Sequence, residues 1–467
     1  MATQGLVSVI WCNYNGEPIA RTLQKGIEAI LQQTYPELEL ILVDDGSTDG
    51  SPTLLRKLAA ANPRVRLVAL RENRGIAAAR NAGLAVARGH LIAFLDNDAI
   101  PAPDWLAALV QRMQADPTIG ACASRVLFAD RPDLVDSVGS VLNRLAYGTN
   151  VGMYELDEFL ELPDEIMYAT GNGLILRREA LEKVGPFDEG FRHYGQDDSD
   201  MGVRLRAAGY RIVPEPRAVV WHRHGYSRSM GGMAFWDERS RIRFALKHYA
   251  WREILPFIVS DLRRQQWRFL GDYARAWLSN LQDLAPLLPY RRAHRGAGPF
   301  LARMTPFMDS RHGYLVRPDN RGPYAGFAPL DHLRIGPGDE PYLYQGWYSR
   351  EPLIHTNLWF RWGRRIASLS FHLDEPPCGL EMQILTPPGG GGHLEAQLRR
   401  LEGAAWVPAA RAEWELAPKP FVRQRLACPG PLSPGDYRLI LLSERAHREK
   451  GEFPRELGLG LISLAAQ

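Results

Sequence analysis

A chain of 467 residues, 45% hydrophobic and 23% charged, has the composition of an ordinary globular protein and is too long for one core, so two or three domains are expected. A formal net charge of +3 excludes a dedicated polyanion binder, and nucleic acid is not an expected partner. Four widely spaced cysteines (Cys12, Cys122, Cys378, Cys428) argue against a zinc knuckle or a disulfide framework. A reducing cytosol fits best. No basic leader precedes a long apolar stretch and no run of roughly 18 apolar residues occurs, so neither secretion nor a membrane span is expected.

The N-terminal part alternates short apolar runs with amphipathic stretches: Leu6 to Trp11, Glu17 to Gln33, Leu38 to Val43, Ser51 to Ala61, Val65 to Ala69, Ile76 to Ala87 and Leu91 to Leu95. Strands alternating with helices predict parallel pairing through right-handed crossovers, hence a Rossmann-like, mostly parallel α/β sheet with ligands at the carboxyl ends of its strands. Polar clusters stand at three of those ends: Asn13-Tyr14-Asn15, Asp44 to Asp49, and Asp96-Asn97-Asp98.

The second cluster has a structural reading, with Asp44 or Asp45 closing an Asx-turn, Gly46 at positive φ and Ser47 or Asp49 capping the next helix. Two adjacent acids exceed that need. One is placed to accept the imide N–H of a uracil or thymine ring, or an amino group of another base. Next, small residues around Asn73 and Gly75 let a helix start approach a ligand, and Arg80, on an Ala-rich helix, is either a solvated surface group or a bidentate partner for a diphosphate. The third cluster ends a buried strand; its acids either cap a helix over Pro101 to Val110 or serve a cation and a ribose together.

Further on, Gly195-Gln196-Asp197-Asp198-Ser199-Asp200 leads into a helix expected from Ser199 to Ala208 and ended by Gly209. One of the acids should cap it. That leaves another to take a proton from a hydroxyl nucleophile. Val219-Val220-Trp221-His222 places an imidazole at the end of one more apolar strand. If His222 reaches Asp98, the pair gives an oxygen-plus-imidazole shell suited to Mn²⁺ or Mg²⁺.

From Met233 to Arg295 aromatic, aliphatic and basic residues recur at helical spacing, which suits a helix packed on its own domain or lying on an anionic membrane surface. After Pro299 short alternating runs, such as Ala367 to Leu373, Leu380 to Leu385 and Tyr437 to Leu442, predict an antiparallel β-sandwich. Gly389 to Gly392 reads as a loop tip. Domains are therefore expected over 1–232, 233–300 and 301–467.

Five motifs in order, SVIWCNYNG, VDDGSTDGS, ENRGIAAARNAGLAVARGHLIAFLDNDA, DDSDMGVRLRAAGYRI and VVWHRHG, make residues 5 to 250 resemble family 2 glycosyltransferases of the GT-A fold. The resemblance implies that Cys12, Tyr14, Asp45 and Asn73 line a base pocket, and that Arg80 meets the diphosphate. It makes Asp96 a partner of the ribose or metal-bound diphosphate, with Asn97 between the two acids. Asp98 and His222 would hold the metal, and Asp198 would be the general base. Asp197 stands where the family has Glu, and with Gly171 and Asn172 it would lie on the acceptor side. The implied activity is an inverting, metal-dependent transfer from a nucleoside-diphosphate sugar, UDP or dTDP favoured, to a hydroxyl of a glycan or lipid-linked glycan. Bacterial surface polysaccharide synthesis is the implied setting. That reading leaves peripheral contact with the inner face of the cytoplasmic membrane, and homo-oligomerisation, open. Around Gly346 to Glu351 and Phe360-Arg361-Trp362 the C-terminal part resembles β-sandwich modules of some bacterial polysaccharide glycosyltransferases, with Trp347 and Trp362 expected in the core and an acceptor-binding or oligomerising role.

Two other functions compete. In a non-catalytic glycan-binding scaffold the first domain would be a relic, against which the intact Asp98, Asp198 and His222 argue. A nucleotidyltransferase would show a Gly-rich, Lys- or Arg-bearing loop near the first strand, and SVIWCNYNG has none.

Overall fold

The computed structural model describes residues 3–223 except 154, 161 and 193–194, then 233–264, 270–293, 300 and 304, and beyond 331 the residues 332–334, 343–347, 351–352, 359–374, 377–386, 392–403, 405–416, 421–444, 447–448, 456–457 and 459–466. Their contacts divide the chain into two units, 1–153 with 161–309, and 154–160 with 310–467.

In the first unit β1 (Thr3–Asn13), α1 (Ala20–Leu31), β2 (Leu38–Asp44), α2 (Ser51–Ala61), β3 (Val65–Ala69), α3 (Ile76–Val86) and β4 (Gly89–Asp96) follow the predicted alternation. β1 pairs parallel with both β2 and β4, and β2 with β3. Every residue of β2 is buried, as expected of a strand covered on both faces. The chain continues through β5 (Ala99–Pro101), α4 (Trp105–Ala115), β6 (Ile119–Phe128), β7 (Arg131–Ser137), β8 (Ser140–Leu142), β9 (Gly148–Asn150), β10 (Leu174–Arg177), α5 (Arg178–Val184), α6 (Asp197–Ala207) and β11 (Arg211–His222). The sheet order is β3-β2-β1-β4-β10-β6-β11-β5. β10 is antiparallel to both its neighbours, and β5 is antiparallel to β11. The mostly parallel α/β sheet of the GT-A fold is thus present, with short antiparallel insertions that periodicity alone did not predict. The helix expected from Pro101 begins at Trp105, because β5 occupies Ala99–Pro101 first.

Next come α7 (Met233–His248), α8 (Trp251–Arg264), α9 (Leu270–Gln282) and α10 (Leu288–Ala293), grouped by their contacts with the first unit. The basic residues of α7 turn inward: Arg243 and Lys247 reach Asp188 at 2.8 and 2.9 Å, and Lys247 reaches Asp200 at 2.7 Å. Its charge is spent on packing. No described helix is long and apolar enough to cross a membrane.

In the second unit the long strands Trp359–Leu373, Gly379–Leu385, Gly392–Glu402, Ala405–Leu416, Phe421–Ala427, Gly435–Ser443 and Leu459–Ala466 are paired antiparallel. Alternate residues of these strands, among them Leu369 and Phe371, Leu394, Ala396 and Leu398, and Leu439 and Leu441, enter one core, so the sheet curls around its own apolar face. This is the antiparallel module expected after the helices. The side chains of Trp347 and Trp362, and the loop before Gly392, lie outside the described residues.

Candidate active site at the strand ends

Register brings the candidate residues to one edge. Pairing of β1 with β2 sets Asn13 beside Asp44, and pairing with β4 sets Cys12 beside Asp96. Asn13 Nδ2 donates to Asp44 Oδ1 at 3.2 Å, while Asn97 Nδ2 donates to Asn13 Oδ1 at 2.9 Å, so Asn13 ties the three polar clusters together. Asn97 shapes the turn between the two acids.

Asp44 closes the expected Asx-turn, accepting from Ser47 N at 3.3 Å, and Gly46 sits at φ 67°. A Cβ on Gly46 would lie 2.3 Å from the backbone of Glu72, so only glycine fits there. Asp45 accepts from the amides of Arg74 and Gly75, both at 2.8 Å, which fixes the loop leading into α3. Burial nonetheless raises its carboxyl above the ordinary range. Next to it, Asn73 Oδ1 is buried with no hydrogen-bond partner among the described residues. An acceptor stranded in this way is costly unless something donates to it. Cys12 and Tyr14 lie half-buried at the end of β1 and just beyond it; burial pushes the Cys12 thiol up to about 12, leaving it inert.

Arg80 is the hub of the second group. Its guanidinium is buried, lies against the edge-to-face pair of Phe94 and Phe187 with Cζ 5.9 and 5.4 Å from the ring centroids, and pairs with both Asp197 and Asp198, the latter at 2.6 Å. It also stands 3.6 Å from Asp96. The surface alternative is thereby excluded. Asp198 accepts from Gly171 N at 2.9 Å through its second oxygen, and a Cβ on Gly171 would fall 1.6 Å from Arg80 Nη2. Burial, then the charge of Asp198, pushes Asp197 up to about 7 against the pull of Arg80. Burial likewise raises Asp198.

The acids of α6 do not divide as expected, and the helix begins at Asp197 rather than Ser199. No side chain caps it; its N-cap is Gln196, left-handed at φ 73°. Asp200 instead points into the core, where Arg204, Lys247 and His248 meet it at 2.9, 2.7 and 2.8 Å. Two of the three acids face the site and one holds the fold.

The third group is Asp98 with His222. Pairing of β5 with β11 places His222 opposite Ala99, and His222 Nε2 lies 3.2 Å from Asp98 Oδ1. Asn172 Nδ2 is 3.4 Å from His222 Nδ1, and Thr170 Oγ1 donates to Asn172 Oδ1 at 2.6 Å. Burial works to lower the His222 pKa, but Asp98 and Asp136 together hold it well above the ordinary value. Adjacent ligands of an octahedral ion with bonds of roughly 2.1 Å lie about 3 Å apart, so this carboxylate and imidazole fit one divalent cation. Among the described residues no group of three or more His, Cys, Asp and Glu forms a complete metal site. The pair would supply two ligands and leave the remainder to a donor or water. Sequence reasoning missed Asp136, fully buried near the end of β7, whose Oδ2 stands 2.5 Å from His222 Nδ1. Nothing in its local sequence marks it.

Residues 8–185 match the glycosyl transferase family 2 model, and residues 161–223 match the model described as the N-terminal domain of galactosyltransferase. Glycosyltransferase AglE of Haloferax volcanii is 30% identical over 310 residues, covering 62% of this chain and 97% of that protein. The chain belongs to glycosyltransferase family 2. This family 2 glycosyltransferase is also 32% identical over 223 residues to the succinoglycan biosynthesis protein ExoO of Rhizobium meliloti, covering 46% of its own length and 60% of the relative. An uncharacterized glycosyltransferase of a Nostoc species matches at 32% identity over 39% of this chain and 54% of that one. The chain thus spans little more than half the length of these last two relatives. Among solved structures, it is similar to a mannosyltransferase from Pyrobaculum calidifontis in complex with GDP-Man and Mn²⁺, at 25% identity and a TM-score of 0.38, over 64% of this chain and 77% of that one.

Proposed function

We propose that this protein is an inverting, metal-dependent glycosyltransferase that moves a hexosyl or deoxyhexosyl group from a nucleoside-diphosphate sugar to a hydroxyl of a glycan or lipid-linked glycan. The observation that carries the reading is Arg80, which gathers Asp96, Asp197 and Asp198 at one strand edge.

Asp45 and Asn73 face the base, and the unpartnered Asn73 Oδ1 suits the imide N–H of uracil or thymine, which favours a UDP or dTDP donor. Cys12 and Tyr14 complete that pocket. Asp96 serves the ribose or the diphosphate. Asp98 and His222 would hold a Mn²⁺ or Mg²⁺ ion, which when bound offsets the charge gathering on the leaving diphosphate. Arg80 supplies further positive charge beside it.

On the acceptor side, Asp198 takes the hydroxyl proton as the acceptor oxygen bonds to the anomeric carbon and the bond from that carbon to the diphosphate oxygen breaks. The electron pair leaves with the nucleoside diphosphate. Gly171 N fixes one oxygen of Asp198 and Arg80 the other, so the base is oriented before the acceptor arrives. Asp197 and Asn172 border the acceptor. Attack opposite the leaving group inverts the anomeric centre, and no covalent intermediate is needed.

The likeness to a succinoglycan biosynthesis protein supports a role in bacterial polysaccharide synthesis; the proposed setting is a surface polysaccharide made at the cytoplasmic side of the membrane. In this reading 1–232 is the transferase, 233–300 braces it, and 301–467 binds acceptor or joins copies into a homo-oligomer. A panel of nucleotide sugars with Mn²⁺, scored by nucleoside diphosphate release and thermal shift, tests it. Release from none of them, with no donor-induced shift, would favour the glycan-binding scaffold.

A further inference from the structure

α8 carries apolar side chains on two sides: Ile254 and Phe257 are buried together with its acids, while four more large apolar side chains point out. Glu253 is buried and accepts the amides of Ala250 and Phe300 at 2.7 and 3.0 Å, and Asp261 is fully buried against Arg241 at 2.6 Å. The opposite stripe carries Trp251, Leu255, Val259 and Leu262, which are 58, 67, 41 and 50% exposed. Spacings of four, four and three residues put all four on one helical face. α9 repeats the pattern on a smaller scale, with Leu278 and Leu281 exposed at 61 and 54%. Among the described residues, these six are every exposed large apolar side chain except Leu162.

Both helices are braced on α7. α8 is fastened by the Asp261–Arg241 pair, and α9 by Arg239 donating to Ser279 at 3.0 Å and Asn280 donating to Arg239 O at 2.9 Å. The apolar residues are therefore not waiting to complete the core, which α7 already fills from the other side. A concentrated apolar surface of this kind marks an interaction site.

Charge selects the partner. Residues 251–295 hold eight arginines against four acids. Glu253 and Asp261 face the core, while Asp272 and Asp283 are already paired with Arg275 and Arg239. Arg252, on α8 itself, and Arg292, on α10, are exposed. An exposed apolar stripe in a stretch with twice as many arginines as acids, each acid buried or paired, matches the acyl boundary and headgroups of an anionic bilayer.

We propose that the outward face of α8, with Leu278 and Leu281 of α9, docks this protein onto an anionic lipid surface. This deepens the membrane-side placement proposed above by naming the surface that makes it. It does not depend on the donor chemistry. The face lies in the interface plane, with the leucines in the upper acyl region and the arginines at headgroup phosphates.

The test is co-sedimentation of the full chain with vesicles of phosphatidylglycerol and phosphatidylcholine, compared with phosphatidylcholine alone. Binding is expected only to the anionic vesicles and should weaken as salt rises. Because the residues are exposed, Leu255→Ser/Leu262→Ser should fold normally and partition at least about tenfold less. Donor turnover in solution should be unchanged in that variant, so failure of vesicle binding and failure of the transferase reading are separate results. No binding by the wild type, or equal binding by the variant, overturns the proposal. So does a dimer in light scattering that the double substitution splits, which would make this face a contact between copies.

Discussion

Nδ1 of His222 meets Oδ2 of the fully buried Asp136 at 2.5 Å, while Nε2 of the same ring faces Asp98 at 3.2 Å. A carboxylate on Nδ1 keeps a proton there, so a metal ion would displace only the Nε2 proton and meet the lone pair it leaves, the arrangement that orients imidazole ligands in metal sites. Asp136→Asn keeps the shape and removes the charge. Mn²⁺ affinity, measured by calorimetric titration of the variant, should fall roughly 10- to 100-fold. Unchanged affinity would mean that Asp136 does not position the ring.

Chelation follows from the same pair. If Asp98 and His222 hold the ion as proposed, being two ligands among the described residues, it should be exchangeable, so EDTA should abolish turnover and added Mn²⁺ or Mg²⁺ should restore it. Full activity in EDTA would remove the metal from the mechanism.

Much of this site was legible because its residues lie at strand ends. Asp45, Asp96 and Asp98 follow apolar runs whose periodicity fixes where the chain leaves the sheet, and α2 and β3 fall where the sequence pattern places them. Asp136 was not legible: it lies near the end of a short strand with no motif, and its partner is 86 residues away. The role of Asp200 was hidden for a related reason. Its partners Lys247 and His248 arrive from α7, so proximity to Asp197 and Asp198 suggested a shared role that tertiary packing divides. Capping of α6 was misread because Gly195 and Gln196 both adopt positive φ, a backbone solution that composition did not signal.

Asp200 therefore yields a stability prediction. Its carboxyl is held far below the usual range by Arg204, Lys247 and His248, which together outweigh the burial that would raise it. A depressed folded-state pKa contributes stability that is present above the unfolded value of roughly 3.9 and is lost as pH falls below it. Asp200→Asn leaves buried cations without their counter-charge, which costs on the order of 3–5 kcal/mol. The melting temperature at neutral pH should drop by roughly 5 °C or more, with the gap to wild type narrowing under acid conditions. An unchanged melting temperature would show that the cluster does not hold α6 to α7.

Gly171 and Arg80 should behave as one unit. A Cβ at position 171 cannot coexist with the guanidinium where it stands, so Gly171→Ala should displace Arg80 and free Asp198 from its guanidinium anchor, leaving only the backbone amide of residue 171. Arg80→Lys keeps the charge but loses the planar fork whose Nη1 meets Asp197 and Asp198 while Nη2 stands by Asp96. Each variant should lower kcat by about 100-fold or more, and the double variant should be little worse than either single one. Additive losses would show that the two residues act independently.

The acid pair sets the pH dependence. As the proposed base, Asp198 would have to be ionised to take the acceptor proton, yet it shares a buried site with Asp197, whose carboxyl is pushed up to about 7 by burial and then by Asp198 itself. Near that pH the pair picks up a proton, so kcat/KM should fall as pH drops through about 7 and level off above it. Asp198→Asn should lose transfer by about 100-fold or more while donor still binds. Asp197→Asn separates the causes: with its like-charged neighbour gone, Asp198 ionises more easily, and the acid limb should move to lower pH. An acid limb that stays in place would assign it to another group, and near-wild-type transfer by Asp198→Asn would remove Asp198 as the base.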